Sequence, residues 1–368
     1  MHYQLAQGAT ATHFPYTAPM PDPSHRDINV LCLWQPRPEL LDYMKKGLNG
    51  WPVHFISAPE GHEWTGADES LLLPLAGDAD VLLGWRPTRS LIDAAPKLRA
   101  VINPGAGVQH LYGMFAEIQQ TRDIVLINGH GNAEFTAQTT VTLLLAMLSG
   151  TVQHHNAMLA GKWRLGDEFL ANTPISHRTI GLLGYGHVNR NVHLMLSGFG
   201  CRVIACNRSG IMPGGSPATL DGLHSIAQLD DFLRAVDVLV VAVPFTPDSE
   251  GLIGAREIEL LGQGSFLVNV ARGGVVNEDA LFEALESGFF AGAAIDVWYD
   301  YRPEPDEQGR LFPWHRPFHE LGNVVLSPHR AASPFDDLER WDEVIENLKR
   351  ISAGRDDLLN VVNCQLGY

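Results

Sequence analysis

A chain of 368 residues has room for two domains, each with its own buried core. Its composition, 45% hydrophobic and 18% charged, is globular and excludes general disorder. The formal net charge of −16 repels polyphosphate and anionic headgroups, so no nucleic acid and no membrane is expected among its partners.

Residues 1–27 read as an N-terminal extension, lying on the surface or partly disordered. The stretch is rich in Pro, Thr, Ala and His and lacks the basic start and apolar block of a secretory signal. Short apolar runs follow at 28–33, 52–56, 81–85, 98–102 and 124–127, with helical patterns such as Glu39 to Leu48 and Ser90 to Ala95 between them. Strands alternating with helices predict a parallel sheet covered on both faces. A helix-compatible stretch then spans 132–160, with Gly150 the one interior place for a bend. Its apolar face is wide enough for two readings, core burial or a homodimer contact through this region. A second strand–helix series has strands near 179–183, 202–206, 237–242, 266–269, 291–295 and 323–326. The segment from Tyr299 to Gly322 reads as a long irregular loop of the kind that carries function. A helical pattern from Asp336 to Ser352 closes the series and returns to the first domain. The expected domains are 28–131, completed by 332–368, and 132–331. No apolar run approaches the roughly 20 residues of a membrane span. Cys32, Cys201, Cys206 and Cys364 form no CxxC pair, which fits reduced thiols in a cytoplasmic protein. No metal site is expected: HExxH is absent, and His154 and His155 point two ways from a helix.

The run Thr179–Leu183 leads directly into Gly184-Tyr-Gly-His-Val-Asn189, a G-x-G-x-x-G frame with Asn in the third glycine position. Gly184 permits a tight turn, and Gly186 lets a pyrophosphate approach the backbone at a helix N-terminus. A strand before, a helix after and a second strand ending about 20 residues later make this a dinucleotide site. The missing third Gly predicts slightly looser helix–strand packing. At the end of the second strand an acidic residue would select the ribose 2′-hydroxyl of NAD. Asn207-Arg208-Ser209 stands there instead and suits the 2′-phosphate of NADP, with NAD still open if Arg208 only stacks beside the adenine.

Seven ordered motifs now accumulate: Gly105-Ala-Gly-Val108, Gly161-Lys-Trp163, the glycine frame, Pro244-Phe-Thr-Pro247, Asn269-Val-Ala-Arg-Gly273, Asp296-Val-Trp298 and Ser327-Pro-His329. From Ile28 to Ser352 the chain resembles the D-isomer-specific 2-hydroxyacid dehydrogenase family. Trp85-Arg-Pro87 and Asn207-Arg-Ser209 are most similar to its glyoxylate and hydroxypyruvate reductase branch. The resemblance implies a flavodoxin-like substrate domain and a Rossmann dinucleotide-binding domain, both doubly wound α/β. It also implies hydride transfer between a nicotinamide and a small 2-hydroxy or 2-keto acid. Arg272 would grip substrate oxygens with its planar fork, and His329 would be the acid/base. Ala106, Gly107 and Val108, with Arg86, would bind substrate. Gly184, Tyr185, Gly186, His187, Val188, Asn207, Arg208, Ser209, Pro244, Thr246, Ala271 and Asp296 would bind cofactor, Asp296 through the nicotinamide carboxamide.

One departure bears on catalysis. The family places a Glu five residues after this Asp, to back the catalytic His, whereas here that count lands on Tyr301. Glu304 lies three residues further on. Spacing favours Tyr301 and residue type favours Glu304. Two rival functions also stand: a cofactor-sensing regulator without turnover, and a formate- or phosphite-oxidising relative.

Overall fold

The computed structural model describes residues 25–57, 69–164, 172–212, 220–333 and 337–368. Most of the expected N-terminal extension therefore lies outside the described residues. Its last part is tied down: the Arg26 N–H donates to Ser352 O (2.9 Å), and the His25 ring stacks on Trp51. The chain divides into two compact units.

The first unit takes the described residues up to Pro104, with Glu117–Gly129 and Leu338–Val362. In chain order its elements are β1 (Ile28–Cys32), α1 (Pro38–Gly47), β2 (Val53–Ser57), α2 (Leu73–Ala76), β3 (Val81–Leu83), α3 (Arg89–Asp93) and β4 (Ala100–Asn103). The helix α4 (Tyr112–Ile118) straddles the division, and β5 (Val125–Asn128) completes the sheet. All neighbours are parallel in the order β2-β1-β3-β4-β5, the flavodoxin-like arrangement. The central strands β3 and β4 are buried throughout, which is why they read as unbroken apolar runs rather than alternating ones. α1 starts with Pro38 and Glu39 in its first turn and ends with Lys45 and Lys46, matching the helix dipole at both ends. Its Leu40 and Met44, four residues apart, share a core with Val344, Ile345, Leu348 and Ile351 of the helix Asp342–Ser352. That helix does return to the first unit, beginning at Asp342 after a short 3₁₀ turn (Glu339–Trp341).

The second unit holds Gly105–Ala116, His130–Asp337 and Asn363–Tyr368. Two of these segments, 105–116 and 363–368, were expected in the first domain and instead cluster with the second. The stretch 132–160 is two helices, α5 (Ala133–Leu148) and α6 (Thr151–Leu159), meeting at 65° where Gly150 takes φ +60°. Beyond them come β6 (Thr179–Leu183), α7 (His187–Leu196), β7 (Arg202–Asn207), β8 (Gly222–Ser225), α8 (Leu229–Arg234) and β9 (Val238–Val241). The series ends with α9 (Ala255–Leu261), β10 (Phe266–Asn269), α10 (Glu278–Glu286), β11 (Gly292–Ile295) and β12 (Val324–Leu326); the helix Asp342–Ser352 of the first unit is α11. The sheet runs β12-β11-β10-β9-β6-β7-β8, every pair parallel. Strand order reverses between β6 and β9, the topological switch point at which open α/β sheets bind ligands. One face is packed by α5 and α7 through Leu144, Leu148, Val192 and Leu196, and the other by α8, α9 and α10 through Phe232, Ile258, Leu281 and Leu285. Among the described residues no single helix is long and apolar enough to cross a membrane.

Candidate active site

β6 delivers the chain to Gly184, which has φ +83°; a Cβ there would lie 2.6 Å from Ala242 O, so only glycine closes this turn. At Gly186 an added Cβ would meet nothing within 4 Å, and α7 begins at His187 with no side-chain cap. Uncapped N–H groups at the start of a ten-residue helix, facing open space, fit a dinucleotide pyrophosphate. Asn189, in the third glycine position, is fully buried. Its Nδ2 donates to Leu183 O (3.2 Å) and Gly184 O (2.6 Å), so the side chain ties down the turn where looser packing was expected. Tyr185 turns inward, its Oη sharing a hydrogen bond with His193 Nδ1 (2.7 Å). Val188 packs on the α5 and α7 side of the sheet. His187 stacks flat on His130, ring centroids 4.2 Å apart. Burial, reinforced by neighbouring positive charge, pushes His130 down to about 3 and His187 down to about 4, so both are neutral at pH 7.

At the end of β7, Asn207 Oδ1 accepts the N–H groups of Ser209 (3.1 Å) and Gly210 (2.6 Å), and its Nδ2 donates to Ile211 O (2.8 Å). Asn207 therefore shapes the loop that carries Arg208. Ser209 Oγ accepts the Ile211 N–H at 3.2 Å. Arg208 is exposed, and its Nη1 donates to Tyr368 Oη at 3.0 Å. After β9, Ser249 Oγ donates to Pro244 O (2.7 Å) and accepts the Thr246 N–H (2.9 Å), fixing the Pro244–Pro247 turn.

The turn after β10 is built by Asn269. Its Oδ1 accepts the N–H of buried Ala271 (3.1 Å) and its Nδ2 donates to Arg272 O (3.1 Å). Arg272 Nη1 donates to Ala271 O (2.7 Å), and the far side of the guanidinium lies against Gly107, where any Cβ would collide with Nη2. The segment Ala106–Val108, expected to bind the substrate carboxylate, and Arg272 are thus brought together. Asp296, directly after β11, is 2% exposed. Its carboxylate accepts the Ser327 hydroxyl and the N–H groups of Arg330 (2.9 Å) and Ala331 (3.2 Å). Trp298 Nε1 donates to Ser327 O at 2.8 Å. Between these anchors His329 is held at φ +56°, a left-handed conformation that a non-glycine residue adopts only when its surroundings impose it. Sequence reasoning missed this loop-anchoring role of Asp296; its only signal was an acidic residue at a strand end facing Ser-Pro-His.

Burial lowers the His329 pKa from 6.5; Arg272 acts in the same direction and Asp296 opposes both. The Tyr301 ring meets the imidazole edge-on, centroids 5.3 Å apart, while its hydroxyl accepts the Trp298 N–H (3.3 Å). The contact with His329 is therefore ring to ring. Tyr301 is 55% exposed, but the inner part of its ring is desolvated, which pushes the phenol up, so it is neutral. Glu304 is exposed on the loop. Arg86 is exposed in the first unit, between β3 and α3.

Residues 141–331 match the model of the NAD binding domain of the D-isomer specific 2-hydroxyacid dehydrogenases. The chain belongs to this family. As a member it carries the family's NAD(P)-type Rossmann domain on β6–β12. It is 30% identical to a glyoxylate reductase of Thermococcus kodakarensis over 285 residues, 75% of this chain and 80% of that one. It is 27% identical to a D-3-phosphoglycerate dehydrogenase of Methanocaldococcus jannaschii over 306 residues, spanning 55% of that protein's length. Among solved structures, a D-isomer specific 2-hydroxyacid dehydrogenase from Xanthobacter autotrophicus, in complex with NADPH and MES, superposes with TM-score 0.72 at 25% identity, covering 93% of this chain and all of that one. An NADPH-dependent glyoxylate/hydroxypyruvate reductase from Sinorhizobium meliloti has TM-score 0.68 at 25% identity, covering 92% and 98%.

Proposed function

We propose that this 2-hydroxyacid dehydrogenase family member reduces a small 2-keto acid, of the glyoxylate and hydroxypyruvate class, with NADPH preferred to NADH. The observation that carries the reading is the convergence of Arg272, the Gly107 backbone and a strained, half-buried His329 in one unit. A bound nicotinamide supplies the hydride. The donors of Ala106–Val108 and one edge of Arg272 hold the substrate carboxylate, and the rest of the Arg272 fork polarises the keto oxygen. His329, protonated, then gives its proton to the oxygen of the new alcohol. Tyr301 shields the imidazole without charging it, and Glu304 stays in solvent. After its three loop bonds Asp296 retains acceptor capacity for a carboxamide donor, since a carboxylate has about four lone-pair sites. Arg208 supports the NADPH preference as an exposed cation at the end of the second Rossmann strand.

The α6 face supports a homodimer through the 132–160 region. α5 buries Leu143, Leu144, Met147 and Leu148 in its own unit, while Met158, Leu159 and Trp163 remain exposed beyond it.

The decisive experiment follows nicotinamide absorbance with glyoxylate or hydroxypyruvate and each reduced cofactor, for the wild type and for His329→Ala. The reading expects turnover with a higher kcat/KM for NADPH, and a kcat reduced about 10²–10⁴-fold by the substitution. Tight NADPH binding without turnover would replace it with a cofactor-sensing role, and a higher kcat/KM with NADH would remove the NADPH preference.

A further inference from the structure

We propose that Tyr368 is a specificity-determining residue of the cofactor site, holding Arg208 for the adenosine 2′-phosphate and donating a second hydrogen bond to it. The proposal rests on the NADPH preference read above and adds a residue that no motif in the sequence marks. The segment Asn363–Tyr368 forms a compact turn within the dinucleotide-binding unit. Asn363 Oδ1 accepts the N–H groups of Gln365 (3.0 Å) and Leu366 (3.1 Å), and the Asn363 N–H donates to Tyr368 O (2.9 Å). Gly367, at φ +79°, lies close to Thr246 and Tyr112, so the turn rests on the segment after β9 that was assigned to the cofactor. This places the Tyr368 phenol at Arg208: Nη1 donates to Oη at 3.0 Å, and the guanidinium carbon lies 6.0 Å from the ring centroid.

The direction of that hydrogen bond matters. By accepting from a guanidinium, the phenol oxygen becomes the acceptor of a cation and its own O–H points outward as a polarised donor. Arg208 alone is a long side chain that would lose rotamer freedom on gripping phosphate; with Tyr368 as partner part of that loss is incurred before the ligand arrives. A dianionic 2′-phosphate can then take donors from both side chains, whereas the neutral 2′-hydroxyl of NADH gains little from either.

The test measures dissociation constants of NADPH and NADH by nicotinamide fluorescence for wild type, Tyr368→Phe, Arg208→Ala and the double variant. Tyr368→Phe keeps the ring and the turn and removes only the hydroxyl. We expect NADPH to weaken about 10- to 100-fold, the scale of one hydrogen bond to a charged group, with NADH changed less than twofold. On the Arg208→Ala background the same substitution should cost less than about threefold, because the two act together. If the wild type prefers NADPH but Tyr368→Phe leaves the NADPH/NADH ratio unaltered, or weakens both cofactors equally, the proposal falls. A wild type with no preference for NADPH would overturn the cofactor reading itself.

Discussion

The turn after β6 and the turn after β12 are each tied by one buried side chain, and the two use opposite chemistry. At the cofactor turn Asn189 donates to two carbonyls, and at the catalytic turn Asp296 accepts a hydroxyl and two N–H groups. A neutral amide stands at the turn proposed for the pyrophosphate, and a carboxylate stands beside His329, the proposed acid/base, whose proton Arg272 disfavours and Asp296 favours. Either side chain could fix a turn by hydrogen bonds alone. On the proposed reading, the charge on each anchor matches what its turn would face.

Exchanging the two chemistries tests the contrast. The largest effect is expected for Asp296→Asn, in which an NH₂ group replaces one acceptor oxygen against Ser327, Arg330 and Ala331. His329 should leave its left-handed conformation, and kcat should fall about 10- to 100-fold with cofactor affinity changed much less. An equal loss in both would show that the carboxylate serves the cofactor as much as the loop. Asn189→Asp makes the reverse exchange and adds a negative charge beneath the glycine turn. Cofactor affinity should weaken about tenfold, with the effect reduced at high salt, while Asn189→Gly should cost less. Similar losses in the two variants would assign Asn189 to packing alone.

The two histidine environments differ in the same sense. His130 and His187 are held neutral in the fold, with pKa values of about 3 and about 4, against 6.5 for the free side chain. Their folded pKa values are depressed, so the stability they allow is complete above pH 6.5. It drains as pH falls toward 4, because the unfolded chain takes up the protons. His130→Phe should therefore flatten the acid-side slope of unfolding free energy by up to about 1.4 kcal/mol per pH unit, one proton's worth. An unchanged slope in urea titrations between pH 6.5 and 4 would rule this out. The smallest effects belong to His329. Tyr301→Phe keeps the ring contact and should shift the pH profile of reduction by less than about half a unit, and Glu304→Gln not at all. Tyr301→Ala admits water, raises the imidazole pKa toward 6.5 and carries reduction to higher pH, since the acid form is the one used. A shift with Glu304→Gln instead would hand the backing role to that carboxylate.

Much of this was legible beforehand where the physics is local. Central parallel strands are buried on both faces, so β3, β4, β9 and β10 announce themselves as apolar runs. Gly150 marked the place where the stretch 132–160 bends, and the glycine frame marked the tight turn after β6. β8 was missed because Gly-Leu-His-Ser is a half-buried edge strand whose existence depends on its pairing with β7. The second task of Asp296 could not be read, because its partners lie 31 to 35 residues away. The turn Asn363–Tyr368 carries no periodicity at all, so nothing in its composition indicated which unit it joins.

The contact between Gly107 and Arg272 makes position 107 a fixed point for anyone redesigning this enzyme's substrate range. Even alanine there would displace the guanidinium, and the clash extends to Gln109 Oε1, 2.9 Å from the added carbon. A library randomised at 107 and selected for turnover of a 2-keto acid should be enriched in glycine, because any side chain there moves the Arg272 guanidinium. Diversification is better begun at residues that do not touch the Arg272 guanidinium.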